Sequence, residues 1–169
     1  MKETTPKKTY DRDFIRVGKS RIEGTGVFAK RNIPKGTRII EYMGMRKSLS
    51  RLLVEISEGN PTHIYTFRLS EHTVIDGALN GNDARFINHS CTPNCEAYTF
   101  DDKVYIYAMR DIKRGEELSY DYHLGTSMSG GRKQIDKSLY VCRCGSPNCK
   151  GTMISEKKRR ARTNGTQTR

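Results

Sequence analysis

Five cysteines fall into two tight groups, Cys91 with Cys95, and Cys142, Cys144 and Cys149. The second group, Cys142-Arg-Cys144-Gly-Ser-Pro-Asn-Cys149, has C-x-C-x4-C spacing. Thiolates this close can converge on one tetrahedral zinc, with Gly145 and Pro147 turning the loop. Three ligands do not close a structural site, so a fourth must come from Cys91 or Cys95. Spacing alone does not choose between them. Either choice staples the C-terminal knuckle onto the chain near residue 90. Free thiols in a tail are the plain alternative, and the grouping of all five cysteines weighs against it. His63 and His72 have no acidic or cysteine partner at ligand spacing and read as ordinary residues.

The elements that must hold these groups are mostly short strands. Phe14 to Val17 starts one, and SRIEGTGVFAKRNIPKG then alternates glycine turns with short apolar pieces. RIIEY (38–42) reads as a buried strand between Gly36 and Gly44. SLSRLLVEIS (48–57) is the one helix, with Leu49, Leu52, Leu53 and Ile56 at helical spacing and Gly59-Asn60-Pro61 as its stop. IYTFRL (64–69) and HTVID (72–76) read as paired strands. ARFIN (84–88) is an apolar run entering the cysteine-rich loop. EAYTF (96–100) and VYIYAMR (104–110) form a hairpin around the turn Asp101-Asp102-Lys103. ELSYDY (117–122) is a further strand. A local echo links Arg31-Asn32-Ile33-Pro34-Lys35-Gly36 to Arg110-Asp111-Ile112-Lys113-Arg114-Gly115. Each copy supplies a turn before a strand, and two copies do not make a solenoid.

The chain has 169 residues, enough for one compact domain with a small annex. No stretch approaches 18 apolar residues, which excludes a membrane-spanning helix. The start, MKETTPKKTYDRD, lacks the apolar stretch of a Sec signal peptide, so disulfides are not expected. Net charge is +12, of which the tail from Glu156 to Arg169 contributes +5. The body is therefore basic too, which suits an anionic partner such as nucleic acid or an acidic protein surface. Solvated lysines are the plain alternative.

The string Ala84-Arg85-Phe86-Ile87-Asn88-His89-Ser90-Cys91-Thr92-Pro93-Asn94-Cys95, with Tyr120-Asp121-Tyr122 downstream, resembles the SET-domain protein lysine methyltransferases. Other motifs of that family stand in the same order. Gly24-Thr25-Gly26-Val27-Phe28 is similar to its N-terminal G-x-G turn, and Glu41-Tyr42-Met43-Gly44 to its E-Y-x-G strand end. Tyr65-Thr66-Phe67 matches Y-x-F, and residues 115–122 match G-E-E-L-x-Y-D-Y. Cys142-x-Cys144-x4-Cys149 matches the post-SET knuckle. The N-H-S-C-x-P-N-C form is closest to the trithorax/SET1-like group. The chain departs from the larger members in having no cysteine-rich pre-SET region, a short insert between Gly44 and Tyr65, and no accessory domain. In this it resembles minimal bacterial or viral members.

The resemblance implies a mainly β fold: a β-clip-like SET domain of short sheets with a pseudoknot, one short helical insert and a C-terminal zinc knuckle. It implies a flexible start at 1–13, a SET domain at 14–123, a tether at 124–139, a post-SET zinc segment at 140–154 and a basic disordered tail at 155–169. The implied reaction moves a methyl group from S-adenosyl-L-methionine to a lysine ε-amine. Tyr122 is then the catalytic tyrosine, Tyr120 tunes product multiplicity toward mono- or dimethylation, and Tyr65 lines the lysine channel and touches the cofactor. Glu23, Gly24, Thr25, Gly26, Asn88, His89, Tyr65 and Tyr122 form the cofactor site. Cys91 joins Cys142, Cys144 and Cys149 on a structural zinc that holds the post-SET segment as a lid. The substrate is a lysine-containing peptide or protein, such as histone H3, paired to an exposed strand edge. Acting on histones implies the nucleus or a host's chromatin; a bacterial enzyme acting on its own proteins implies the cytoplasm.

Other readings of the residues stay open. A Tyr-x-Tyr pair is by default two same-face strand residues packed in a core. The chain could instead be a catalytically silent, zinc-stabilised module that binds proteins or nucleic acid, or an enzyme acting on a DNA-binding protein of its own cell. The run Lys157-Lys158-Arg159-Arg160-Ala161-Arg162 could add a weak nucleic-acid contact or be a solvated terminus.

Overall fold

The computed structural model describes residues 14–59, 64–124 and 137–155. The flexible start expected at 1–13, most of the 124–139 tether, the tail from 156 and His63 lie outside the described residues. Ten short strands, one α-helix and 3₁₀ turns make this part of the chain mainly β. One sheet has the order β1 (Ile15–Lys19), β2 (Thr25–Ala29), β10 (Glu117–Tyr120), β7 (Asn88–His89). A second has the order β3 (Arg38–Tyr42), β9 (Lys103–Ala108), β8 (Cys95–Phe100). The third has the order β4 (Met45–Ser48), β6 (Thr73–Asp76), β5 (Thr66–Arg68).

Local chemistry sets the boundaries. Strict alternation along RIIEY would expose one of two adjacent isoleucines. Both Ile39 and Ile40 are buried, because the register against β9 shifts between Arg38 and Ile40. In the β8–β9 hairpin, Asp101 and Asp102 both take positive φ, 49° and 54°. Two left-handed residues match the twist of the strands they join. Lys103, expected in the turn, is therefore the first residue of β9 and pairs with Phe100.

Helix α1 (Leu49–Ser57) starts one residue later than expected. Ser48 is its N-cap, accepting the Arg51 N–H at 3.2 Å. Lys47 fastens the helix to the third sheet. Its ammonium lies 2.7 Å from the fully buried Asp76 carboxylate and also contacts Glu55 of α1. The strand expected over 64–69 shortens to β5, with Ile64 and Tyr65 in a short helical turn. The Tyr65 carbonyl is taken by the Gly77 N–H at 2.9 Å and the Tyr42 hydroxyl at 2.6 Å.

The strand expected over 117–122 ends at Tyr120. Beyond it the Tyr122 N–H turns away to a side chain, donating to His89 Nδ1 at 3.2 Å. β10 is the organising strand. It pairs antiparallel with β2 and parallel with β7, in the register Ser119↔Asn88 and Tyr120↔His89. Leu118, Val27, Ile39, Ile87 and Ile106 are at most 1% exposed and meet in one core. Burying each such side chain contributes about 1.5–3 kcal/mol.

The two echoed turns clasp each other. Ile33 and Ile112 form an antiparallel bridge, with reciprocal N–H to carbonyl bonds of 2.8 and 2.9 Å. The matched positions Asn32 and Asp111 also act reciprocally. Asp111 accepts the Lys35 N–H at 2.8 Å, and Asn32 accepts the Arg114 N–H at 2.9 Å. Gly36 donates to Ala108, and Gly115 donates to Ala29, both at 2.8 Å. The clasp thus ties the end of β2 to the end of β9 about a local two-fold.

Candidate active site

The aromatic residues gather where β10 leaves the sheet. Tyr120 is 7% exposed and its ring centroid lies 4.9 Å from that of Tyr122. Phe67 packs 6.2 Å from Tyr120, and Tyr42 packs 5.4 Å from Phe67. Tyr65 meets Phe86 edge-on at 6.0 Å. Sequence reasoning gives Tyr42 no place in this group, although it stands in Glu41-Tyr42-Met43-Gly44. No neighbour signals its role: β3 also carries Arg38 and Glu41, and the partner of the Tyr42 hydroxyl lies 23 residues away.

The three phenols differ in what their hydroxyls do. Tyr122 donates to the Ile87 carbonyl at 2.8 Å, and Tyr42 donates to the Tyr65 carbonyl at 2.6 Å. Each then offers only lone pairs to a further group. The Tyr120 hydroxyl has no hydrogen-bond partner among the described residues. Burial raises the pKa of all three well above the ordinary phenol value. They stay protonated at neutral pH and cannot serve as bases.

β7 joins this aromatic group to the G-x-G turn. The Asn88 amide nitrogen lies 3.1 Å from Ser20 Oγ, 3.3 Å from the Glu23 carbonyl, 3.1 Å from the Thr25 carbonyl and 2.9 Å from Glu117 Oε1. Asn88 therefore holds the protein's own turn in place. Gly24 has φ of 43°, which favours glycine, and a Cβ there would meet nothing within 4 Å. Gly26 is glycine for another reason: a Cβ would lie 2.4 Å from Glu117 Oε1 and 2.9 Å from Ser20 Cβ. Glu23, Gly24 and Thr25 are exposed. The turn presents open backbone beside Asn88 and His89, and that open face fits a ligand with polar groups at one end.

His89 is buried and 5.3 Å from the Tyr122 ring. Its Nδ1 accepts the Tyr122 N–H, which assigns the proton to Nε2 in the neutral ring. Burial lowers its pKa, consistent with that neutral form. Asn94 is another residue to which sequence reasoning gives no role. Buried, it donates to the Glu117 carbonyl at 2.8 Å and accepts the Ser119 N–H at 2.9 Å. It acts as a substitute strand beside β10.

Cys91, Cys142, Cys144 and Cys149 bring four sulfur atoms within 4.8 Å of one another. Cys91 and Cys142 are 3.7 Å apart, too far for a disulfide. A tetrahedron with zinc–sulfur arms of about 2.3 Å has edges of about 3.8 Å, so the set fits such an ion. Backbone N–H groups of Lys150 and Gly151 point at Cys91 and Cys149, both at 3.4 Å. Cys95 stands apart. It is fully buried in β8, and burial pushes its thiol up to about 12. His72 is exposed in the β5–β6 turn. The knuckle reaches the G-x-G turn directly, through Arg143 and Glu23 at 3.0 Å.

A family model described as the SET domain matches residues 24–123. Histone-lysine N-methyltransferase trr of Drosophila melanogaster is 41% identical over 149 residues, covering 84% of this chain and 6% of that protein. Human Histone-lysine N-methyltransferase 2D is 38% identical over 152 residues, covering 86% and 3%. Histone-lysine N-methyltransferase, H3 lysine-4 specific, of Schizosaccharomyces pombe is 41% identical over 145 residues, covering 81% and 15%. The chain thus spans a small part of each. Among solved structures, a humanized mutant of the Chaetomium thermophilum Polycomb Repressive Complex 2 bound to the inhibitor GSK126 superposes with a TM-score of 0.58. That match has 31% identity and covers 64% of this chain and 14% of the other.

Proposed function

The chain belongs to the SET-domain family, and from that premise we propose that it is a protein-lysine N-methyltransferase using S-adenosyl-L-methionine. One observation carries the reading. The parallel pairing of β7 with β10 sets the Asn88–His89 step beside Tyr120, so the open Gly24 turn and the tyrosine cluster share one junction.

When bound, S-adenosyl-L-methionine supplies an electrophilic methyl group on a sulfonium. Glu23, Gly24, Thr25, Gly26, Asn88 and His89 are the residues that would hold it, with Tyr65 and Tyr122 on the side facing the substrate. The chain's part is orientation and exclusion of water. A lysine amine has an ordinary pKa of about 10.4 and must react as the neutral amine. Burial among Phe67, Tyr65 and Tyr120 disfavours the ammonium form. The Tyr122 and Tyr42 oxygens, their protons committed to backbone carbonyls, accept N–H bonds from the amine and aim its lone pair. The uncommitted Tyr120 hydroxyl holds a water or the amine itself. That fills the space further methyl groups would need and favours mono- or dimethylation.

The substrate we assign is histone H3 or another basic protein with an accessible lysine, read on chromatin when it is a histone. Cys91, Cys142, Cys144 and Cys149 hold a structural zinc that ties the knuckle beside the cofactor turn.

The test is methyl transfer onto a panel of histones and basic bacterial proteins by wild type and Tyr122→Phe. The variant should keep its fold and metal and lose on the order of 100-fold in rate, as expected when one oriented group at the reacting centre is removed. Equal rates would reject the role of Tyr122. Absence of both transfer and cofactor binding by calorimetry would favour a silent binding module. In Tyr120→Phe the products should shift toward higher methylation by mass spectrometry, and an unchanged distribution would reject the switch.

A further inference from the structure

The clasp that joins the two echoed turns concentrates positive charge. Residues 30–36 and 109–116 carry Lys30, Arg31, Lys35, Arg110, Lys113 and Arg114 against Asp111 and Glu116. Both acids serve the clasp itself. Asp111 accepts the Lys35 N–H at 2.8 Å, while Glu116 accepts the Lys113 N–H at 2.9 Å and pairs with Arg110 at 2.9 Å. All six basic residues are exposed. Among the described residues no carboxylate pairs with the side chains of Lys35, Lys113 or Arg114.

Beneath these charges the support is rigid. Ile33 and Ile112 are 1% exposed, and their reciprocal backbone bonds keep the two loops side by side. The backbone pairing keeps the two basic loops adjacent, so the fold brings their positive charge to one face. A partner bearing closely spaced negative charges complements that face.

We propose that the clasp is a docking surface for the phosphate backbone of duplex DNA. The surface has the features of backbone contact without base reading: long cationic stems, and no aromatic platform. The nearby Phe14 ring has the Arg31 guanidinium over it at 4.1 Å and packs against the core, so it makes a poor platform for the bases of a single strand. An acidic protein partner would be expected to seat apolar or aromatic anchors, and Met109 is the one large apolar side chain exposed on the two loops. The clasp lies at the Gly115 end of β10, and Tyr120 lies at the other end. DNA held there leaves the tyrosine cluster uncovered. The inference needs nothing from the cofactor site and stands apart from the enzymatic reading.

The test compares the full chain with Lys35→Glu/Lys113→Glu/Arg114→Glu. In both proteins the tail bases Lys157, Lys158, Arg159, Arg160, Arg162 and Arg169 are changed to Gln, so that the tail cannot mask the result. Affinity for a short mixed-sequence duplex is read by fluorescence anisotropy across about 50–200 mM salt. The reversed protein should bind about tenfold or more weakly at the low-salt end. Its log–log salt slope should be shallower by about 3, near 0.9 for each phosphate no longer neutralised. The corresponding Gln variant, milder toward folding, should show the same change of slope. Thermal melting and metal content report whether each variant is folded. Unchanged affinity and slope in the folded Gln variant would overturn the proposal. Polyglutamate binding as tightly as the duplex, and competing with it, would overturn the choice of DNA.

Discussion

The tyrosine end of β10 and the cysteine knuckle are built by opposite means. Tyr120 belongs to a core whose members come from all three sheets, and the residues beside it, Leu118 and Ser119, are also buried. In the knuckle from Val141 to Ser155, only Cys142 and Ile154 are buried. Two isolated bridges, Leu124↔Ile154 and Val141↔Thr152, and a 2.7 Å Thr92–Ser146 hydroxyl contact are its main ties to itself and to the body. Apolar burial therefore holds the tyrosines where they are, whereas the knuckle has too little of it. We therefore expect its shape to depend on the four cysteine sulfur atoms sharing the ion proposed above. Two groups that meet at one candidate site thus answer to different perturbations.

Removing the metal should produce the largest difference between the two regions. Structural zinc contributes about 10–16 kcal/mol in small domains, and that energy is folding energy. Strong chelation, or Cys144→Ser, should expose residues 137–155 to proteolysis and fast amide exchange while β9 and β10 stay protected. Equal loss of protection in β9 and β10 would break the comparison. Cys95→Ala should leave metal stoichiometry unchanged by mass spectrometry, since Cys95 lies in the β8 core.

Leu118→Ala should do the reverse. A fully buried leucine truncated to alanine costs about 2–5 kcal/mol. The melting temperature should fall with metal content unaltered. A normal melting temperature would mean the tyrosine end is not held by the core as described. Asn94→Ala comes next, at roughly 2–3 kcal/mol, because it orphans the Glu117 carbonyl and the Ser119 N–H. Its effect should show as faster amide exchange at Ser119 than at Ile106, and uniform exchange would count against a local role.

Much of this contrast was legible in the residues. Thiol spacing picks out the knuckle, and short apolar runs bounded by glycines or polar turns pick out β3, β6 and the β8–β9 hairpin, because both signals are local. The fourth sulfur was not fixed by spacing. Cys91 and Cys95 are identical in type and close in sequence, and only the fold sends Cys95 inward to pair with Ala108. The bulge in β3 was also hidden, since two adjacent buried isoleucines give no period to read. Tyr42 and Asn94 were missed for a related reason. Their partners lie 23 residues or more away in sequence, so nothing next to them signals a role. The echoed turns were visible as a pattern, but that one copy binds the other is a property of the tertiary fold.

The smallest effect lies at the one ion pair that joins the knuckle to the G-x-G turn among the described residues. Arg143 and Glu23 are 3.0 Å apart and more than two-thirds exposed, so the pair contributes at most about 1 kcal/mol to stability. Arg143→Gln should therefore leave melting temperature and metal content alone. If the knuckle steadies the cofactor turn through this contact, the variant should bind cofactor about 2–5-fold more weakly in low salt, the same energy read as affinity. Salt screens an exposed pair, so wild type and variant should converge as ionic strength rises. A defect that persists at high salt would mean Arg143 acts through packing. No defect at any salt would mean that this ion pair does not couple the knuckle to the turn, and that the ties through Cys91, the Leu124–Ile154 bridge and the Thr92–Ser146 contact suffice.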